Sequence, residues 1–199
     1  GVSHDLRTPL TRMKLQLAML GEGKAIQELQ ADVQDMERMV EGYLAFARGE
    51  GTEAAVTTDI KALITDFAMG ERRGGVLLEL EVTCDPIRPL EVKPQSIKRA
   101  LANFVSNARR YAKTVRIALE ASEDAYEIFV DDDGPGIPEA ERGRVFKPFY
   151  RGDPSRNLET GGIGLGLTIA RDIVHSHGGE IGLEEAPLGG LRVRIRMPV

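Results

Sequence analysis

A histidine followed directly by an aspartate opens the sequence, in the run SHDLRTP. The carboxylate of Asp5 can hold one imidazole nitrogen of His4 protonated, which leaves the other nitrogen available as a nucleophile. Pro9, five residues after His4, removes a helix hydrogen bond and is expected to bend the helix. An exposed histidine beside an aspartate is most often an ordinary surface pair, so this motif is weak by itself.

Two glycine clusters flank predicted elements further along the chain. Gly134 and Gly136 follow a predicted strand in the run DDGPG, and Gly162, Gly164 and Gly166 precede a predicted helix in the run GGIGLG. Glycine lets backbone N–H groups approach a phosphate closely, and a helix N-terminus adds positive potential. The second cluster lacks the lysine of a Walker A loop and does not match GxGxxG. Each cluster alone is explained about equally well by a flexible turn.

Two asparagines interrupt an apolar helical pattern. Asn103 and Asn107 are four residues apart, which places them on one helix face, and Arg110 and Tyr111 follow one turn later. Amide oxygens are suitable hard ligands for Mg²⁺, which keeps most of its waters and contacts few protein groups. The alternative is that Asn103 only hydrogen-bonds to a neighbouring backbone group.

The composition excludes several classes of protein. With 199 residues, of which 42% are hydrophobic and 29% charged, the chain can bury a core and is not disordered as a whole. The net charge of −5 lacks the basic character of a nucleic-acid-binding protein, so no nucleic-acid partner is expected. The single cysteine, Cys84, excludes an intramolecular disulfide and a cysteine-based zinc site. No run approaches the ~18 apolar residues of a membrane span, and Met does not begin the chain, so we expect a soluble piece of a longer protein.

Residues 1–50 carry a heptad pattern that must position the histidine. Two runs of apolar residues alternate between three- and four-residue spacing: Leu6, Leu10, Met13, Leu17 and Leu20, then Ile26, Leu29, Val33, Met36, Val40, Tyr43 and Ala47. The short GEG turn between the runs predicts an antiparallel helical hairpin. Two such helices cannot enclose a core alone, so the pattern predicts a homodimer in which two hairpins form a four-helix bundle. The alternative is that the hairpin packs on the rest of its own chain.

The rest of the chain predicts an α+β domain that must position the asparagines and glycines. Residues 51–57 lose all periodicity and are predicted to be a linker, and residues 58–199 are predicted to form one domain. Apolar patterns predict helices near 60–67, 94–112, 138–145 and 163–177, and strands at 76–83, 89–92, 114–120, 125–131, 180–185 and 191–197. Helices against a largely antiparallel sheet form a two-layer α/β sandwich. The irregular stretch 133–162 is long for a compact domain, so it is either functional or argues against the assignment.

These motifs together resemble those of the sensor histidine kinases of two-component systems, in particular the EnvZ-like type. SHDLRTPLTR resembles their H box, Asn103–Asn107 the N box, Asp132–Gly136 the G1 box, Phe146–Phe149 the F box and Gly162–Gly166 the G2 box. All five occur in the family's order and spacing over essentially the whole chain. The resemblance implies a dimerisation and histidine-phosphotransfer hairpin followed by a Bergerat-type (GHKL) catalytic ATP-binding domain.

The resemblance implies an ATP-dependent protein-histidine kinase that phosphorylates itself and passes the phosphoryl group to an aspartate of a response regulator. His4 would be the phosphoacceptor, Asp5 would orient and activate it, and Thr8 would position the water that dephosphorylates the regulator. The expected partners are a second copy of the chain and the receiver domain of an OmpR-like response regulator. The full-length protein is expected to be anchored in the bacterial inner membrane, with this part in the cytoplasm.

The other boxes supply the residues that the resemblance assigns to ATP and Mg²⁺. Asn107 would bind Mg²⁺ with Asn103 alongside it, and Asp132 would accept a hydrogen bond from the adenine amino group. At the base, Tyr111 would contact the nucleoside, and Gly134 and Gly136 would lie beside the base. Around the phosphates would lie Arg110, Gly162, Gly164 and Gly166. A lid over about 150–162 would have Phe146 and Phe149 at its hinge, and Arg151 and Arg156 within it would be phosphate candidates.

Two other functions fit part of the pattern. An ATPase of the wider superfamily shared with gyrase, Hsp90 and MutL would have the asparagine and glycine boxes, but it would lack an H box on a heptad hairpin. A degenerate kinase acting as a dimeric scaffold is disfavoured because every box residue required for activity is present. ATP hydrolysis, retention of a phosphoryl label and nucleotide binding distinguish the three functions.

Overall fold

The computed structural model of the chain describes residues 2–21, 23–34, 36–37, 40, 53–74, 77–83, 88–150 and 164–199, with side chains described from Thr8 onward. Contacts divide the chain into two compact units, Gly1–Thr52 and Glu53–Val199. No helix among the described residues is both long and apolar enough to cross a membrane.

The first unit is a helical hairpin. Helix α1 covers Val2–Met19, and helix α2 includes residues 24–34. Gly21 lies in the turn between them with a φ of 86°, a left-handed backbone that glycine adopts without steric cost. An ion pair of 2.6 Å between Lys14 Nζ and Glu37 Oε2 holds the two helices together. The predicted hairpin is therefore confirmed.

The apolar seam of the hairpin is only partly buried within one chain. Leu10 and Val33 are buried, whereas Met13, Leu29 and Met36 keep 38%, 51% and 41% of their surface exposed. These exposed apolar side chains are available to a second chain, as the predicted four-helix bundle requires. The seam residues whose side chains lie outside the described part are Leu6, Tyr43 and Ala47.

The second unit is built on a sheet. Its described strands are β1 Val56–Thr58, β2 Leu78–Thr83, β3 Leu90–Val92, β4 Val115–Ala121, β5 Ala125–Asp132, β6 Glu180–Glu185 and β7 Leu191–Pro198. Five of them form one sheet in the order β2-β4-β5-β7-β6. The β2–β4 pair is parallel and the other pairs of this sheet are antiparallel. The β1–β3 pair forms a separate antiparallel ribbon.

Helices cover one face of this sheet. They are α3 Ile60–Arg73, α4 Pro94–Tyr111 and α6 Gly166–Ser176. A further short helix, α5 Glu139–Arg142, has no buried residue. Strand β7 shows why one face is covered, because buried Leu191, Val193 and Ile195 alternate along it with arginines. Helices α4 and α6 pack side by side and contribute to the same apolar core. The predicted two-layer α/β sandwich is therefore confirmed.

The opposite face of the sheet carries ion pairs around a buried carboxylate. The Asp131 side chain is fully buried between Arg116 Nη2 at 2.7 Å and Arg192 Nε at 2.7 Å. The Arg192 guanidinium also lies 4.5 Å from the centre of the Phe129 ring. Burial raises the pKa of Asp131, but the hydrogen bonds and charges of Arg192 and Arg116 outweigh it, so this pKa lies below its ordinary value.

The segment 51–57, predicted to be a linker, overlaps a strand at its end. Its end forms strand β1, in which Val56 pairs with Val92. Three residues are too few to show an alternating pattern, and their strand conformation depends on a partner far along the chain. The short helix predicted near 138–145 is also shorter than expected, because it ends at its C-cap residue, Gly143.

Candidate functional site

Two amide side chains share one face of α4. Asn103 and Asn107 are one turn apart and half-buried, while Phe104 and Ala108 beside them face the core. A Cβ added to Gly166, the first residue of α6, would lie 3.5 Å from Asn103 Oδ1, so this amide lies beside the N-terminus of α6. Within the described part of the chain, neither amide makes a hydrogen bond. The alternative role for Asn103, bonding to a neighbouring backbone group, is therefore not seen, and both amides are available to a ligand.

A buried carboxylate ends strand β5. Asp132 is 6% exposed, and its Oδ1 accepts hydrogen bonds from Gly134 N at 2.9 Å and Leu191 N at 3.0 Å. Burial raises the pKa of Asp132, and the neighbouring carboxylates of Asp133 and Asp131 raise it further, against the lowering effect of the two backbone bonds. Because both bonds use Oδ1, Oδ2 can accept a hydrogen bond from a ligand.

Glycines leave the space that this carboxylate occupies. A Cβ on Gly134 would lie 2.9 Å from Asp132 Oδ1 and 3.2 Å from Tyr111 O, and a Cβ on Gly190 would collide with Asp132 Oδ1 and lie 2.5 Å from Gly134 N. Gly136 has a φ of 69°, in the left-handed region. From the sequence alone, Gly190 is predicted only to form a hairpin turn, and the Gly-Gly pair between two strands is the signal for that turn.

The end of α4 lies against the same glycine cluster. Tyr111 is about half exposed, Arg110 is exposed, and the Tyr111 carbonyl lies beside Gly134. Asp133 fixes the turn that follows the helix, because its Oδ1 accepts hydrogen bonds from Lys113 N at 2.8 Å and Thr114 N at 2.9 Å. These backbone bonds lower the pKa of Asp133. The structure therefore brings the Tyr111 carbonyl, Asp132 and Gly134 together.

The two phenylalanines have different environments. Phe146 is buried; its carbonyl accepts a hydrogen bond from Thr168 Oγ1 at 3.0 Å, and the Arg171 guanidinium lies 5.6 Å from its ring centre. Phe149 is about half exposed, with a φ of 64° that is rare for a residue with a side chain. Its N–H donates to Gly164 O at 3.0 Å. The predicted lid residues Gly162, Arg151 and Arg156 lie outside the described residues.

The proposed phosphoacceptor lies in the first unit. His4 and Asp5 are in the first turns of α1, and their side chains lie outside the described part. Thr8 is exposed and stands four residues, about one helical turn, after His4 in α1.

Family comparisons match both parts of the chain. Residues 92–199 match the family of histidine kinase-, DNA gyrase B- and HSP90-like ATPases, and residues 1–52 match the His Kinase A (phospho-acceptor) domain. The chain is 36% identical over 209 residues to sensor histidine kinase CpxA of Escherichia coli strain K12, covering 100% of this chain and 46% of CpxA. It is 36% identical over 198 residues to sensor histidine kinase GtrS of Pseudomonas aeruginosa, covering 99% of this chain and 40% of GtrS. The chain thus spans less than half the length of these curated relatives.

Solved structures show the same fold. The histidine kinase domain of the E. coli osmosensor EnvZ superposes with a TM-score of 0.58 at 33% identity, covering 75% of this chain and 92% of that domain. The ATP-binding domain of PrrB from Mycobacterium tuberculosis superposes with a TM-score of 0.59 at 30% identity, covering 72% of this chain and 96% of that domain.

Proposed function

The chain belongs to the sensor histidine kinases of the EnvZ-like type, and we propose that it transfers the γ-phosphoryl group of ATP to His4 and then to an aspartate of a response regulator. One observation carries this proposal. A single chain combines a histidine on a helix matched by the phospho-acceptor family with a nucleotide-type site that holds a buried carboxylate and two amides. Phosphoryl transfer needs positioning and charge stabilisation more than covalent chemistry from the protein.

Helix α4 gives the proposed nucleotide site two ends. Tyr111, near Asp132 and Gly134, marks the base end, and Asn103, beside the N-terminus of α6, marks the phosphate end. Eight residues separate Asn103 from Tyr111, or about 12 Å along the helix axis. Asp132 Oδ2 would accept a hydrogen bond from the adenine amino group. The positive end of α6 would favour the phosphates.

The donor set fits Mg²⁺. Asn107, with Asn103 alongside it, offers hard amide oxygens that make no hydrogen bond within the described part of the chain. Among the described residues no group of three or more His, Cys, Asp and Glu side chains could hold a metal. This fits an ion held mainly by phosphate oxygens and water. When bound, Mg²⁺ supplies neutralisation of charge that develops on the transferring group.

The transfer itself would use His4 and Asp5. Asp5 would hold one ring nitrogen of His4 protonated, so that the other nitrogen attacks the γ-phosphorus. A nitrogen–phosphorus bond forms as the bond between that phosphorus and the leaving oxygen of ADP breaks. Thr8, one turn further along, would orient a water that hydrolyses the phospho-aspartate of the docked regulator, which gives the protein a second activity as a phosphatase.

The proposed assembly follows from the exposed seam of the hairpin. Two chains would pair through it into a four-helix bundle and present His4 to the receiver domain of an OmpR-like regulator. We also propose that the full-length protein is anchored in the inner membrane, with this part in the cytoplasm, as the resemblance to sensor histidine kinases implies. The proposed division of labour is a phosphotransfer hairpin over 1–50 and an ATP-binding domain over 58–199.

Incubation with ATP labelled at the γ-position tests the function. The unaltered protein should retain a label that is labile in acid and stable in base, as phosphohistidine is. His4→Gln should lose the label while its ATP affinity stays unchanged, since His4 belongs to the first unit and the residues proposed to bind ATP belong to the second. His175→Gln is the matched control, because His175 is an exposed histidine at the end of α6. A superfamily ATPase would hydrolyse ATP and retain no label, and a scaffold would bind no ATP.

A further inference from the structure

The N-terminus of α4 is capped by a side chain from a distant part of the chain. Its own N-cap residue, Lys93, gives the helix no side-chain capping bond, and Pro94 has no N–H to donate. The Glu53 carboxylate accepts hydrogen bonds from Gln95 N at 2.6 Å and from Ser96 N at 2.9 Å. The first N–H groups of a helix have no partner within the helix. Two of these groups, those of Gln95 and Ser96, donate instead to Glu53, which lies 42 and 43 positions before them.

The contact between Glu53 and the start of α4 is charged and partly buried. Ser96 is only 5% exposed, and its Oγ donates a further hydrogen bond of 2.8 Å to Glu53 Oε2. Burial raises the pKa of Glu53, but the hydrogen bonds from Gln95 and Ser96 outweigh it, so this pKa lies below its ordinary value. Glu53 is therefore ionised at neutral pH, and a negative charge is favourable at a helix N-terminus.

His177, the C-cap residue of α6, connects that helix end to the start of α4. Lys93 N donates to His177 Nε2 at 3.0 Å, and His177 Nδ1 lies 2.7 Å from Ile173 O. Because Nε2 accepts a hydrogen bond, the ring carries its proton on Nδ1 and donates it to the Ile173 carbonyl. The start of α4 is thus joined both to Glu53 and to the helix that begins at Gly166.

The chain around Glu53 runs along the segment that leads into α4. Strand β1 pairs with β3, which directly precedes the helix, and Glu53 continues this alignment at Gln95 and Ser96. Glu53 is also the first residue of the second unit. Glu53 is therefore fixed at the N-terminus of α4, and the eight residues from Gln95 to Asn103 span about 12 Å along the helix axis.

We propose that Glu53 is a positioning residue for phosphoryl transfer, which fixes the chain carrying His4 to the helix carrying Asn103 and Asn107. This inference rests on the proposed function. The ring nitrogen of His4 must approach the γ-phosphorus in line, and a misplacement of about 1 Å can cost about 100-fold in rate. One covalent chain joins the unit with His4 to the unit with the nucleotide site, so its point of attachment bears on that approach. Glu53 acts through this chain and α4, not by contact with the reacting atoms.

Kinetics of Glu53→Ala at saturating ATP test the proposal. We expect the rate of His4 labelling to fall at least about fivefold, while the affinity for ATP stays within about twofold. Glu53→Gln keeps one acceptor oxygen, so its rate should lie between those of the unaltered protein and Glu53→Ala. Glu91→Gln is the matched control: Glu91 lies on the β1–β3 ribbon and bonds only to Thr57 among the described residues, and its labelling rate should not change.

A parallel loss of ATP affinity in Glu53→Ala would overturn the positioning role, since it would show only a weakened helix α4. A labelling rate that is unchanged or higher would overturn it as well. If the unaltered protein does not label His4, the proposed function fails, and the kinetic role of Glu53 fails with it. Amide hydrogen exchange then tests by itself whether Glu53 caps α4. Faster exchange of the Gln95 and Ser96 N–H groups in Glu53→Ala supports the cap, and unchanged exchange contradicts it.

Discussion

Replacing Gly190 with alanine tests the nucleotide site through a residue that has no functional group of its own. The added Cβ would collide with the Asp132 carboxylate and lie 2.5 Å from Gly134 N. Neither neighbour can yield easily, because Asp132 Oδ1 is held by Gly134 N at 2.9 Å and by Leu191 N at 3.0 Å. The substitution therefore forces either the carboxylate or the β6–β7 turn away from its place.

The size of the effect follows from what the carboxylate is proposed to do. If Asp132 can no longer reach the adenine amino group, the complex loses a hydrogen bond to a charged group, worth roughly 1.5–3 kcal/mol. This loss corresponds to an ATP affinity roughly 10- to 150-fold lower. Overpacking adds a separate cost to folding of roughly 1–3 kcal/mol. The two effects are measured separately, by calorimetric titration with ATP and Mg²⁺ and by urea unfolding without nucleotide.

Gly182→Ala is the matched control for this experiment. Gly182 lies on β6 of the same hairpin, and a Cβ there would have no atom within 4 Å, so its ATP affinity should equal that of the unaltered protein. If Gly190→Ala is folded at the assay temperature and binds ATP with unchanged affinity, the proposed role of Asp132 is refuted. Equal losses of affinity in the two variants would refute the steric reasoning.

Three further perturbations have defined outcomes. Asp131→Asn should lower the free energy of unfolding by roughly 1.5–3 kcal/mol at pH 7. The folded-state pKa of Asp131 is lowered, so its stabilisation is present above its unfolded pKa of about 4 and is lost as pH falls through the lower folded value. In urea unfolding from pH 7 to 2, the free energies of unfolding of the unaltered protein and Asp131→Asn should therefore converge. A difference that stays constant over this pH range would contradict the reasoning. Thr8→Ala should spare the labelling of His4 and slow dephosphorylation of the regulator, and equal loss of both rates would end the phosphatase assignment. Leu10→Ala, which removes a side chain buried in the hairpin, should cost roughly 2–5 kcal/mol in thermal or urea unfolding of the first unit, and a cost below about 1 kcal/mol would contradict its place in the core.

Helices with a clear apolar period could be predicted from the sequence. The pattern of α4 placed Ile97, Leu101 and Phe104 inward, and all three are buried. The same pattern left Asn103 and Asn107 off that face, where the structure has both half-buried and Asn103 beside α6. Local periodicity was sufficient here because a helix face is set by the spacing of residues along the chain.

Features that depend on contacts between distant segments could not be predicted in this way. Gly190 borders Asp132 across the sheet, and Glu53 caps a helix that begins at Pro94. Neither residue has a local pattern that distinguishes it from an ordinary turn glycine or a surface glutamate. The parallel pairing of β2 with β4 is likewise a product of chain topology, which no short window of sequence contains.

The pairing of β5 with β7 makes the site sensitive to strand alignment. Asp131 lies opposite Arg192 in the observed pairing, and this same alignment brings Leu191 N to the Asp132 carboxylate. A slip of one residue would turn the arginines of β7 into the core, and a slip of two would keep the faces but move Leu191 away from Asp132. Misaligned chains would thus lack the proposed adenine acceptor. ATP present during refolding should therefore favour correctly aligned molecules, since a ligand stabilises only the state that binds it.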